Sequence, residues 1–80
     1  MAQVEVKALD RTRLLTDVAR ILSEHHVNIL SSQSHTGSDR ISKMRFEFEL
    51  ADPAHLENLL AALKRVDSVY DAYRVLPGRG

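Results

Sequence analysis

Asp10-Arg11-Thr12-Arg13-Leu14-Leu15 is where this chain changes its period. Upstream, Gln3 to Leu9 alternates: Val4, Val6 and Ala8 point one way, Glu5 and Lys7 the other, as in a strand with one wet face. Downstream, Leu14, Leu15, Val18, Ile21 and Leu22 recur at helical spacing, and Asp17, Arg20 and Glu24 make a solvated row with favourable charge spacings. The stretch is therefore a strand-to-helix turn carrying one acid and two arginines. Such a turn displays charge and backbone N–H groups beside a helix N-terminus, a natural seat for a small anionic or zwitterionic ligand.

Working outward, the first helix is expected from about Arg13 to His25, with His25 and His26 in a last turn where positive charge suits the helix dipole. Asn28-Ile29 marks the start of a second strand, Val27 to Thr36. Its later half (Ser31, Ser32, Gln33, Ser34, His35) has the polarity of a sheet edge. Thr36-Gly37-Ser38-Asp39 is a hairpin turn signal. Ile41 to Leu50 is the clearest strand, with Met44, Phe46, Phe48 and Leu50 facing a core and Lys43, Arg45, Glu47 and Glu49 facing water. Asp52-Pro53 supplies an N-cap and a proline at the first helical position. Leu56, Leu59, Leu60, Leu63 and Val66 form the stripe of a second helix. Val69 to Leu76 is a last strand, and residues 77–80 read as a flexible tail after a domain spanning 1–76.

The order β-α-β-β-α-β, closed by two right-handed crossovers, predicts an α+β ferredoxin-like plait. Its antiparallel sheet has strand order 4-1-3-2 and both helices on one face. That fold hosts many functions and decides none. Eighty residues make one small domain with one core. The chain enters its first strand almost at once. It is either a very small protein or, the favoured reading, a piece of a longer one with Met1 supplied for expression. Lys and Arg number 11, as do Asp and Glu, so no positive excess drives nonspecific nucleic-acid binding, although a local basic patch is allowed. With no cysteine there is neither a disulfide framework nor thiolate chemistry, which fits a reducing cytoplasm. No apolar run reaches membrane-spanning length and no signal peptide is present.

Catalytic signatures are missing. His25 and His26 point about 100° apart on a helix and cannot chelate as an i, i+4 pair, so no metal or cofactor is expected. Ser31, Ser32 and Ser34 lack a nucleophile-elbow turn, and the three glycines lie in a hairpin and the tail, not in a phosphate loop. The exposed sheet face has Lys7, Lys43 and Arg45, with Arg74 and Tyr70 as further candidates. RNA-reading plaits stack bases on aromatics of the central strands, and here the outward positions of the third strand are Lys43, Arg45, Glu47 and Glu49. Independent reading of single-stranded RNA is thus weakly supported, whereas docking on a larger RNA surface through Lys43, Arg45 and Arg74 stays open.

The turn, the Asn28-Ile29 pair and the plait together resemble an ACT domain over essentially the whole chain. More narrowly, Asp10 to Val18, Asn28-Ile29 and the ending Val69-Tyr70-Asp71-Ala72-Tyr73-Arg74-Val75 resemble the C-terminal ACT domain of a bifunctional RelA/SpoT-type (p)ppGpp synthetase/hydrolase, a GTP pyrophosphokinase. Ser23 to Ser31 is most similar to the actinobacterial enzymes. The resemblance implies a non-catalytic regulatory segment of an enzyme of the stringent response. It also implies partners: a second copy in a homodimer, a small amino acid (branched-chain in some members), the parent's catalytic domains, and the ribosome. Carried over residue by residue, the ligand site joins Asp10, Arg11, Thr12, Arg13 and Leu14 on the turn of one subunit to Asn28 and Ile29 on the second strand of another. The family commonly has glycine where this chain has Arg13. An arginine there either clamps a carboxylate or closes the pocket. For Asp10 and Arg11 the competing reading is a solvated turn whose acid caps the helix. For Asn28 it is a connector satisfying backbone groups, and for Leu14 and Ile29 it is simple core packing.

Overall fold

A computed structural model describes residues 2–50 and 52–76; the expected tail at 77–80 lies outside them. The elements follow the expected order: β1 (Ala2–Leu9), α1 (Leu14–Glu24), β2 (Asn28–Thr36), β3 (Ile41–Glu49), α2 (Ala54–Lys64) and β4 (Val69–Val75). The sheet order is β2-β3-β1-β4, which is the predicted 4-1-3-2 read from the other edge, and every neighbouring pair is antiparallel.

Alternation decides the layers. On β1, Ala2, Val4, Val6 and Ala8 are buried, and on β3 so are Ser42, Met44, Phe46 and Phe48. These residues pair directly across the two central strands (Val4 with Phe46, Val6 with Met44), so they share one face. Leu14, Val18 and Leu22 of α1 and Leu56, Leu59 and Leu63 of α2 complete the core. Asp52 caps α2 through Oδ1, which accepts the Ala54 N–H at 3.0 Å, and Pro53 holds φ at −57°. At the other end of α1, His26 adopts φ 57° and donates to Ser23 O at 3.0 Å, while Val27 donates to Leu22 O at 3.4 Å. This is a Schellman ending with histidine in the position glycine usually fills. The β2–β3 hairpin closes through Gly37 N–H to Ile41 O at 3.1 Å; a side chain at Gly37 would meet Asp39 Oδ1 at 2.9 Å.

Three expectations need correction. Leu15 is not in the core stripe: it is 55% exposed, because the stripe through Leu14, Val18 and Leu22 turns it outward. Asp17 is not in a solvated row with Arg20 and Glu24; its carboxylate is tied to Arg11. Arg74 is not on the open sheet face, since it pairs opposite buried Val4 and so shares the helix side at the sheet edge. Tyr73, opposite Glu5, takes the open-face position instead, and Tyr70 occupies the bulge where β4 shifts register.

Candidate functional site

The β1–α1 turn is fixed from both sides. Leu9 N–H donates to Ser68 O, and Asp10 N–H donates to Arg40 O, each at 2.9 Å. The turn is therefore stapled to the α2–β4 loop and to the β2–β3 hairpin. Arg13 then takes φ 69° and ψ 8°, a left-handed conformation disfavoured for a residue with a Cβ. No side chain caps α1, so the acid of the turn is not spent as a helix cap.

The result is a groove of about 240 Å³. Asp10, Arg11, Arg13, Leu14, Leu15 and Thr16 line it from the turn and the first helical residues. Ser34, Thr36, Ser42 and Met44 line it from the strands. Of the residues expected on the turn, Asp10, Arg11, Arg13 and Leu14 line this groove and Thr12 does not; the Thr12 carbonyl instead accepts from Arg11 Nη1 at 2.9 Å. Asn28 and Ile29 do not join them within one chain. They begin β2 while Thr36 ends it, roughly 26 Å away at strand rise. Asn28 Nδ2 donates to Glu49 at 2.8 Å, and Ile29 is 41% exposed, so it is not core. The sequence does not mark Ser34, Thr36 and Ser42 as groove residues: Ser34 reads as edge polarity, Thr36 as part of a hairpin turn, and Ser42 as one more position of the third strand. The signal was the hairpin: it pairs Thr36 with Ser42, which pairs in turn with Ala8 just before the turn.

β2 has an unusual environment. All nine of its residues are exposed. Ile29, Ser32, Ser34 and Thr36 pair with buried positions of β3, so they point to the helix side, yet neither helix covers them. The strand has no lysine, other fully charged side chain or proline to blunt its edge.

The open face of the sheet is ordered in rows. Tyr73, Glu5, Arg45 and Gln33 lie side by side across the four strands. Glu5 accepts from Tyr73 Oη and, at 2.9 Å, from Arg45 Nη2. The Tyr73 hydroxyl, then the Arg45 guanidinium, hold the Glu5 carboxyl below its ordinary value against the opposing pull of burial. Glu5 in turn raises the Tyr73 phenol. The neighbouring row is Asp71, Lys7, Lys43 and His35. The Lys7 ammonium stands 5.8 Å from the Tyr73 ring centroid, within cation–π range. Lys43, Arg45 and Arg74 therefore do not form one basic surface, for Arg45 is paired and Arg74 faces the other way. Among the described residues, no group of three or more His, Cys, Asp or Glu could hold a metal ion, and no helix is long and apolar enough to cross a membrane.

A family profile described as ACT domain matches residues 1–74. The chain is an ACT domain. It is similar to a GTP pyrophosphokinase of Streptomyces antibioticus, 53% identical over 78 residues that make up 98% of this chain and 9% of that protein. It is likewise 51% identical over 75 residues to the bifunctional (p)ppGpp synthase/hydrolase RelA of Mycobacterium tuberculosis, covering 94% of this chain and 10% of the relative. Among solved structures, the ACT domain from GTP pyrophosphokinase of Chlorobium tepidum superimposes with a TM-score of 0.82 at 18% identity, over 92% of this chain and 95% of that one. At that identity the likeness concerns the fold. This ACT domain spans about a tenth of the length of the relatives it matches, and it corresponds to a regulatory module, not to their catalytic parts.

Proposed function

We propose that this ACT domain senses a small amino acid and relays its presence to the catalytic domains of a (p)ppGpp synthetase/hydrolase. The observation that carries the reading is the turn groove, which Asp10, Arg11 and Arg13 line beside an uncovered strand. An amino acid presents an ammonium to Asp10, a carboxylate to Arg13 and Arg11, and an apolar side chain to exposed Leu15. The volume lies below the about 300–1,000 Å³ of sites for drug-sized ligands, as suits a ligand of amino-acid size.

The unblunted β2 edge supports a second copy as partner. Antiparallel pairing of two β2 strands about Ser32 sets Asn28 and Ile29 of the partner subunit beside His35 and Thr36, next to the turn. The two halves of the expected site, separated in one chain, then meet across the dimer. Ligand buried there biases the parent between states by about 1–3 kcal/mol. Calorimetric titration with valine, leucine, isoleucine and the other amino acids, repeated on Arg13→Gly, tests it. Binding by either form, with chemical-shift changes at the turn, is the expected result; no heat and no shift at millimolar ligand for both forms rejects sensing.

Docking on ribosomal RNA is a second reading, favoured by Lys7 and Lys43 side by side on the open sheet face. It predicts salt-sensitive association weakened by Lys43→Glu while folding is intact.

A further inference from the structure

Arg11 borders two grooves at once. One is the turn groove; the other is a cleft of about 250 Å³ between the helices, whose walls include Asp17, Arg20, Ile21 and Val66. Its guanidinium donates to three segments: Nη1 to Thr12 O at 2.9 Å in the turn, Nη2 to Asp17 Oδ2 at 2.9 Å on α1, and Nε to Asp67 O at 3.1 Å in the α2–β4 loop. The pair with Asp17 is partly exposed, at 29% and 30% for the two side chains, so it is open to competition.

The loop it reaches is held in an uncommon state. Ser68 has φ 76° and is pinned to the end of β1 by two bonds of 2.9 Å, Leu9 N–H to Ser68 O and Ser68 Oγ to Leu9 O. Arg11 thus joins the two loops that hold left-handed Arg13 and Ser68. Non-glycine residues in that region persist only where their surroundings enforce them, and they cluster at clamps and switches.

We infer that Arg11 is a positioning residue that couples the turn groove to the α2–β4 loop: a ligand carboxylate in the groove competes with Asp17 for its guanidinium, and the exchange loosens the bond to Asp67. The inference rests on the amino-acid-sensing reading of the groove. Occupancy is then transmitted to residues 65–68 and the start of β4, on the far side of the turn from the ligand. Asp17 acts as the internal stand-in for the ligand carboxylate, so removing its charge favours binding, as expected when a competing state is no longer stabilised.

The test combines amide hydrogen exchange with valine titration of the 80-residue chain. Without ligand, Arg11→Gln is expected to speed exchange of the Leu9 and Val69 amides about ten-fold, the loss of a charge-assisted bond. Arg11→Lys, which keeps the charge but not the three-way geometry, gives the same reading if the glutamine variant does not fold. With ligand, Asp17→Asn is expected to bind valine about five-fold more tightly, at the low end of allosteric coupling; a merely structural brace would leave affinity unchanged or lower. Unchanged exchange in both Arg11 variants overturns the coupling whatever binds. Valine binding to the wild type that is not tightened by Asp17→Asn overturns the competition and leaves the sensing reading standing. Valine, leucine and isoleucine binding to neither form overturns the switch; silence of Arg13→Gly as well overturns the sensing reading.

Discussion

Arg13 occupies a backbone position that glycine takes without penalty: its φ of 69° brings Cβ toward the following carbonyl. The sequence made this residue legible as the odd member of the turn, although nothing in its neighbours announces a left-handed φ. Arg13→Gly is expected to stabilise the domain by about 0.5–1 kcal/mol, relief of strain outweighing the extra unfolded-state entropy, and to raise Tm by a few degrees. Urea unfolding measures it. Tyr73 was not legible as a functional or structural residue, because its partner Glu5 lies 68 positions away and only the β1–β4 register joins them. Glu5 has its folded-state pKa lowered from 4.5, so the stability it supplies is present above the unfolded value and is lost as pH falls through the folded one. The raised phenol works oppositely: its contribution is present below 10.0 and is lost as pH climbs through the folded value. Tyr73→Phe is expected to cost about 1 kcal/mol near neutral pH. That difference should shrink on acidification below the carboxyl range, as read by denaturant unfolding at two pH values.

Among the elements, α1 shows where periodicity stops being informative. Leu14, Leu15, Val18, Ile21 and Leu22 offer two overlapping stripes, and the choice between them is made by where the sheet lies. Leu22 is fully buried and Leu15 is more than half exposed beside the groove. Leu22→Ala is therefore expected to destabilise the domain by about 3 kcal/mol, whereas Leu15→Ala stays within about 0.5 kcal/mol and instead weakens amino-acid binding. Thermal unfolding and calorimetry of the two variants separate these outcomes. The strands were easier to read: the alternation of β1 and β3 fixes their inner faces, and the hairpin signal at Gly37 sets the pairing of β2 with β3. β2 was legible as an edge, but its lack of helix cover was not, since nothing in its own residues says how far α1 reaches. Ser34 and Thr36 therefore became groove residues only in three dimensions.

On the scale of the whole molecule, the order of six elements dictated the topology, because few ways exist to close β-α-β-β-α-β without crossing connections. A site shared between copies is outside the reach of such reasoning. The turn and the Asn28-Ile29 pair are at opposite ends of β2 within one chain; in the proposed dimer, a second chain running antiparallel along that edge brings them together. Ser32→Pro, which removes an N–H from the middle of the edge, is expected to abolish pairing and ligand binding together while leaving a folded monomer. Circular dichroism and gel filtration check the fold and the assembly state.

Sedimentation equilibrium of the wild-type chain with and without valine tests the central claim, a sensing site built across two copies, most directly. Ligand held at the interface must tighten assembly by linkage, so valine should move the monomer–dimer equilibrium toward dimer in proportion to its occupancy. A chain that binds valine while its assembly state stays the same at every ligand concentration would contradict the account.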